Sequence, residues 1–287
     1  MQEQIMSIFT RTPLHVGAGS SVGAVDQPVV RERHTEYPVI PGSSLKGVLS
    51  SLWYDSENMG KNNKRLKESA AELLFGRDGD DKNAKAGSLL VGEGKLLAFP
   101  VRSAKNAFAW CTCPLVLARA KRDMKLAFDI PKLASPDECI ASPKLLLKQS
   151  QIVLEEYILK SVAEPEAALV TALQEISADI AWQTELAEHL VVISNEMFSY
   201  FAEHACEIAQ HVKIVVETGV AQAGALFNQV NVPSETMFYS IMHCTVPEAA
   251  DLLAAKLEEN DQVLQIGADA GSGLGWCSVK LSSKGNN

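Results

Sequence analysis

The sequence predicts an α+β fold, with helices gathered on one side of an antiparallel sheet. Three features of its pattern carry that expectation. Strand, helix, strand and strand signals succeed one another over the first hundred residues. A helix followed by a strand closes the chain, and a helix-rich stretch separates the two parts. Together they describe a split βαββαβ unit, a modified ferredoxin-like palm with helical insertions.

Each element rests on a local signal. QIMSIF, residues 4–9, reads as a strand and runs into a Gly/Ser-rich loop. Pro41-Gly42-Ser43 makes a turn, and Ser43 or Ser44 is a plausible N-cap for a helix LKGVLSSLWYD. A short helix, ESAAELLF, sits between the basic run KNNKRLK and the turn-rich DGDDKNAKAG. SLLVGEGKLLAFPV, residues 88–101, reads as two strands joined or bulged around Gly92-Glu93-Gly94. CPLVLARAKRDMKLAF has helical spacing with a basic face at Arg119, Lys121, Arg122 and Lys125. IVLEEYIL reads as one strand, and residues 164–188 as one long amphipathic helix. Ser194 can cap a helix NEMFSYFAEHA. The last third reads strand (HVKIVVE), long turn, strand (MFYSIMHC), helix (PEAADLLAAKLEE), strand (QVLQIG), Gly-rich loop and strand (WCSVKL).

Composition narrows the function. The chain has 287 residues, 47% hydrophobic and 21% charged, as in an ordinary globular protein. No apolar run approaches the ~18–20 residues that span a bilayer, and the first fourteen residues are too polar for a signal-peptide core. Six scattered cysteines fit free thiols in a reducing cytoplasm. The net charge of −9 hides an asymmetry. Residues 1–154 hold 21 Lys and Arg against 16 Asp and Glu; residues 155–287 hold 5 against 19. A cationic half on an acidic chain is compatible with a polyanion-facing side, and equally with an uneven solvated surface.

Glycine loops dominate the motifs. In 15–52 two of them surround one aspartate, Asp26, which is followed by Arg31-Glu32-Arg33. The second region, Gly267-Ala-Asp-Ala-Gly271-Ser-Gly273-Leu-Gly275-Trp276, leads into a strand. A dinucleotide fingerprint must open a helix, so that reading fails; an anion-binding concavity or a simple hairpin loop remains. Ser43-Ser44-Leu45-Lys46 matches S-x-x-K without the partner motifs of an acyl-transfer enzyme. A helix N-terminus with Lys46 one turn in suits a phosphate, and ordinary capping explains it too. Cys111-x-Cys113 lacks the spacing of a zinc site. His15 and His34 flank Asp26, and a His–Asp pair could do acid–base work on a phosphodiester.

Taken in collinear order, these elements resemble the RAMP superfamily of CRISPR effector subunits, and within it the repeated backbone subunit of type III-B (Cmr) complexes. The residues that carry the likeness are Leu14-His-Val-Gly-Ala-Gly-Ser-Ser-Val-Gly-Ala-Val-Asp26 and Pro38-Val-Ile-Pro-Gly-Ser-Ser-Leu-Lys-Gly-Val-Leu49. Thr218-Gly-Val-Ala-Gln-Ala-Gly-Ala-Leu-Phe227 and Gly271-Ser-Gly-Leu-Gly-Trp276 complete it.

The resemblance implies a single domain, its RNA-recognition-like palm from 1–101 and 209–287, an insertion at 102–208 and a protruding β-hairpin thumb at about 218–232. It implies a cytoplasmic ribonucleoprotein in which copies of the chain, other Cmr subunits and a guide RNA assemble to cut target RNA. Asp26 is then the catalytic carboxylate and a ligand for a divalent cation, Mg2+ or Mn2+, with His15 a candidate to serve the leaving oxygen. Gly17, Gly19, Ser20, Arg31, Arg33, Ser43, Ser44, Lys46, Val220, Phe227, Gly271, Gly273 and Gly275 are the residues expected to touch RNA. Gln229 and Asn231 stand near the place of a glutamate and an aromatic common in that family. A non-catalytic RNA-binding scaffold is the alternative.

Overall fold

The computed structural model describes residues 2–19, 25–77 and 84–283. The chain opens with β1 (Gln2–Thr10), β2 (Val39–Ile40), α1 (Gly42–Ser51), α2 (Ala70–Phe75), the small hairpin β3 (Gly76–Arg77) and β4 (Lys85–Ala86), and β5 (Leu89–Arg102). The middle holds β6 (Phe108–Thr112), α3 (Pro114–Met124), β7 (Glu138–Ala141), β8 (Gln151–Leu154), β9 (Tyr157–Ala163), α4 (Ala167–Gln174), α5 (Ile180–His189), β10 (Leu190–Val192) and α6 (Asn195–His204). The chain ends with β11 (Glu207–His211), β12 (Phe227–Asn231), β13 (Met237–Cys244), α7 (Pro247–Glu259), β14 (Val263–Gln265) and β15 (Trp276–Ser283).

This is a mixed α+β fold around one large sheet of order β14-β15-β1-β13-β5-β6-β10-β7-β9-β8. β1 lies inside the sheet, antiparallel to both β13 and β15, and seven of its nine residues are buried. β5 joins the two halves: it pairs with β13 along most of its length and with β6 from Phe99 onward. Its register with β13 jumps from Ser240–Gly94 to Met242–Val91, so the Gly92-Glu93 signal marks a bulge in one long strand.

α1 buries Leu45, Leu49 and Ser50, the i, i+4 spacing of one helix face. Gly42 lets it sit close to β5, since a Cβ there would lie 2.6 Å from the Val91 carbonyl oxygen. α7 starts at Pro247 and buries Ala249, Ala250, Leu253 and Leu257. Phe9, Trp110 and Trp182 meet edge-on, with ring centroids 5.9 Å apart for Phe9–Trp182 and 5.2 Å for Trp110–Trp182. That aromatic cluster ties the middle segment to β1. Among the described residues no helix is long and apolar enough to cross a membrane, and all six cysteines are free.

Four local expectations need correction. The stretch IVLEEYIL is a hairpin, β8 and β9, turning at Glu155, whose φ is +49°. The long helix is two helices, because Asp179 accepts the Ala181 N–H at 3.0 Å and starts α5 afresh. HVKIVVE contributes only His211 to a strand; its remaining residues lie in the hairpin loop between β11 and β12. Neither Ser43 nor Ser44 caps α1, where Pro41 holds the cap position and no side chain caps the helix. Ser194 does cap α6, accepting the Met197 N–H at 3.2 Å.

Candidate functional site

The site forms where sequence-distant loops meet the base of the β11–β12 hairpin. Residues Asp26 and Gln27 lie along the free edge of β12. The Gln27 N–H donates to the Asn228 carbonyl at 3.0 Å, and the Val230 N–H donates to the Gln27 carbonyl at 3.0 Å. The Asp26 side chain continues this ladder, its Oδ2 accepting the Asn228 N–H at 2.9 Å. Asp26 is otherwise exposed. One oxygen is thus pinned by the backbone while the side chain faces solvent, which fixes a charged acceptor without burying it.

His15 sits behind this edge and is 4% exposed. Its Nδ1 donates to the Val230 carbonyl at 2.8 Å, which orients Nε2 to the opposite side of the ring. Nε2 lies against the backbone of Gly17, where a Cβ would come within 2.9 Å of it. The leaving-group role sketched for His15 therefore meets a buried ring, and the geometry makes it a support for β12. Gly17→Ala should push that ring off the Val230 carbonyl. Loss of the downfield-shifted imidazole Nδ1–H signal in NMR checks this.

The two glycine loops are stitched together by backbone. Ala268 N–H donates to the His15 carbonyl at 2.9 Å and Gly275 N–H to the Pro13 carbonyl at 2.8 Å. Gly275 has φ +77°, and a Cβ there would lie 1.9 Å from the Ile266 carbonyl oxygen. Gly19, Gly271 and Gly273 are open, with nothing near their Cα hydrogens, and so leave backbone accessible to a ligand. Ser20 lies outside the described residues. The start of α1 also suits an anion: it has no side-chain cap and no acidic residue in its first turn. Ser43 is exposed, Ser44 and Lys46 are half-exposed, and Lys46 makes no ion pair among the described residues.

The basic tripeptide divides. Arg31 is not available to a phosphate. Its Nη1 donates to the carbonyls of Ala202 at 2.8 Å and Glu36 at 2.6 Å, and Nη2 donates to Glu203 O at 3.2 Å and Cys206 Sγ at 3.3 Å. It closes the C-terminus of α6, where a cation complements the helix dipole. Arg33 stays exposed. The basic face of α3 is largely neutralised too. Arg119 pairs with Glu32 at 2.9 Å, Arg122 with Asp123 at 2.9 Å, and Lys121 donates to the Phe128 carbonyl. Val220 lies in the hairpin loop, 62% exposed, and Phe227 stacks on His211 with centroids 5.1 Å apart.

No group of three or more His, Cys, Asp or Glu that could hold a metal occurs among the described residues. A cation at Asp26 would have one protein carboxylate and would need phosphate oxygens to complete its shell, as Mg2+ sites commonly do. Sequence reasoning passed over Asp269, which Gln229 bonds at 2.9 Å. An aspartate inside a glycine loop was the available signal.

A family model described as the RAMP superfamily matches residues 8–278. The chain belongs to the RAMP superfamily. Within the RAMP proteins, the CRISPR system Cmr endoribonuclease Cmr4 of Pyrococcus furiosus is 35% identical over 302 aligned residues, covering 100% of this chain and 98% of that protein. The CRISPR system Cms endoribonuclease Csm3 of Enterococcus italicus is 41% identical over 66 residues, 22% of this chain and 31% of that protein. Among solved structures, oligomeric Cmr4 from Pyrococcus furiosus superposes with a TM-score of 0.72 at 29% identity, covering 99% of both chains. A chain of the type III-B Cmr-beta complex bound to cognate target RNA gives 0.73 at 19% identity, covering 98% of this RAMP chain and 97% of that one. At that identity the likeness concerns the fold alone.

Proposed function

We propose that this chain is a guide-RNA-binding backbone subunit of a type III-B CRISPR ribonucleoprotein complex, cytoplasmic, and that it cuts target RNA endonucleolytically. The observation that carries this reading is the end-to-end 35% identity to an endoribonuclease of a Cmr system. The antiparallel order β15-β1-β13-β5, with α1 and α7 as crossovers, supports a ferredoxin-like palm. The β11–β12 hairpin supports a thumb, its strands starting at Glu207 rather than near 218. The palm then comprises 1–101 and 209–287, with 102–208 inserted.

In the chemistry proposed, the 2′-hydroxyl of the target strand attacks the adjacent phosphorus in line. Its proton passes to the free oxygen of Asp26, and the bond from phosphorus to the 5′-oxygen breaks. The products are a 2′,3′-cyclic phosphate and a 5′-hydroxyl, the leaving oxygen taking a proton from solvent. The backbone bond from Asn228 orients the carboxylate, and His15 holds β12 in place beneath it. Mg2+ or Mn2+, if bound by Asp26 together with RNA phosphates, would supply positive charge against the pentacoordinate phosphate. Exposed backbone at Gly19, Gly271 and Gly273, the α1 start and Lys46 would hold phosphates. A scaffold without catalysis is the second reading, favoured by the neutral Gln229.

The test is reconstitution with neighbouring subunits and guide RNA. Negative-stain images should show a filament of repeated subunits that cuts target RNA at regular intervals; a compact monomer free of RNA would remove the assignment. Charge reversal separates the two kinds of cation. Lys46→Glu should weaken binding whatever the RNA sequence and lower the salt slope by about 0.7 for each single-strand phosphate no longer neutralised. Arg31→Glu should instead lower the melting temperature, because it strands the carbonyls of α6.

A further inference from the structure

We propose that Asp269 is a positioning residue for target cleavage, latching the C-terminal glycine loop to the strand that holds Asp26. The inference rests on the reading of this chain as a target-RNA endoribonuclease. Gln229 is 2% exposed, and both hydrogens of its amide are used: one reaches Asn231 Oδ1 at 3.0 Å and the other Asp269 Oδ2 at 2.9 Å. Asp269 has φ +61°, a left-handed conformation that aspartate tolerates better than most residues. Its carbonyl accepts the N–H groups of Ser272 at 2.9 Å and Leu274 at 3.3 Å, so it also shapes the glycine turn that follows.

The same residue therefore organises the loop of Gly271 and Gly273 and fastens it to β12. One position before Gln229, Asn228 holds the Asp26 carboxylate at 2.9 Å. Phosphate-facing backbone and the reacting carboxylate thus share one rigid frame. A misplacement of about 1 Å between such groups can cost a hundredfold in rate.

The latch also accounts for a glutamine at 229. A carboxylate there would face Asp269 across a hydrogen-bond distance, and two such groups cannot both ionise cheaply. A neutral amide donates to the carboxylate instead. The titratable groups around this junction are Asp26 beside Asn228, His15 beneath Val230, and Glu207 and His211, which pair across the hairpin with Asn231 and Phe227. Of these, Glu207 is exposed at the strand face, and the partial desolvation there raises its carboxyl.

The test uses assembled complexes for rates and the isolated chain for stability and amide exchange. Asp269→Ala should slow single-turnover cutting at saturating target at least tenfold and speed amide exchange over 270–275. Asp269→Asn, whose side-chain oxygen can still accept from Gln229, should cut within about twofold of wild type. Below about pH 4, where the new carboxyl is protonated and keeps one O–H donor in place of two N–H donors, Gln229→Glu should melt only a little below wild type. As pH rises above that, the raised carboxyl ionises and the variant's gap to wild type should widen progressively. Its cutting rate should gain an inflection that wild type lacks, and adding Asp269→Asn should remove both effects. Wild-type cutting and exchange in Asp269→Ala, or no pH effect in Gln229→Glu, overturns the latch. A wild-type complex that binds guide RNA but cuts no target overturns the functional reading instead, while exchange and melting still decide whether the latch exists.

Discussion

Complexes carrying Asp26→Asn should assemble, bind target RNA as wild type does, and cut it at least a hundredfold more slowly. A carboxylate facing a polyanion opposes binding, so on the proposed reading its use beyond the bond from Asn228 is chemical. A general base contributes about 10²–10⁴-fold, and the neutral amide cannot take the 2′-hydroxyl proton. The structure makes this substitution a clean one. Asp26 Oδ2 accepts the Asn228 N–H at 2.9 Å, and the amide oxygen of asparagine can accept the same bond. Asp26→Ala removes charge and bond together, so the two variants separate chemistry from anchoring. If both cut poorly but only the alanine variant melts lower, the carboxylate is catalytic and its bond structural. Wild-type rates in the asparagine variant would hand the case to a scaffold.

What the sequence disclosed follows from the range of the forces involved. The palm elements were legible because burial imposes a period on them. β1 buries Ile5, Met6, Ile8 and Phe9 in one short run, and α7 places Ala249, Leu253 and Leu257 at helical spacing on one face. Asp26 stood out for its position between glycine loops. Its partner did not, because Asn228 lies 202 residues away. Arg31 shows the same limit: beside Arg33 it reads as a phosphate ligand, yet it serves helix carbonyls 171 and 172 residues later. The break between α4 and α5 was local and could have been seen. Asp179 is a capping residue, and the apolar rhythm around it was read through the signal.

Replacing residues 213–225 with a two-residue turn should leave the fold intact and abolish assembly into a regularly spaced, cutting complex. The cut is placed to spare β12, because Asn228, Gln229 and Val230 hold Asp26, Asp269 and His15. The loop itself contributes little to the single chain. Of the residues removed, Ile214, Val216 and Val220 are 49%, 91% and 62% exposed, and Val212 and Leu226 at the loop's two ends are 48% and 64% exposed. Apolar side chains carried this far from the core invite a partner surface. Fully burying such a side chain contributes about 1.5–3 kcal/mol, so covering the exposed parts of Ile214, Val216 and Val220 is worth on the order of 5 kcal/mol. That corresponds to roughly 10³–10⁴ in an association constant. The shortened chain should therefore melt where wild type does and keep its β11–β12 amide protection. With guide RNA and its neighbours it should sediment as small species, or cut without regular spacing. A lower melting temperature with normal assembly would place the loop in the monomer's own packing and sink its role as a contact arm.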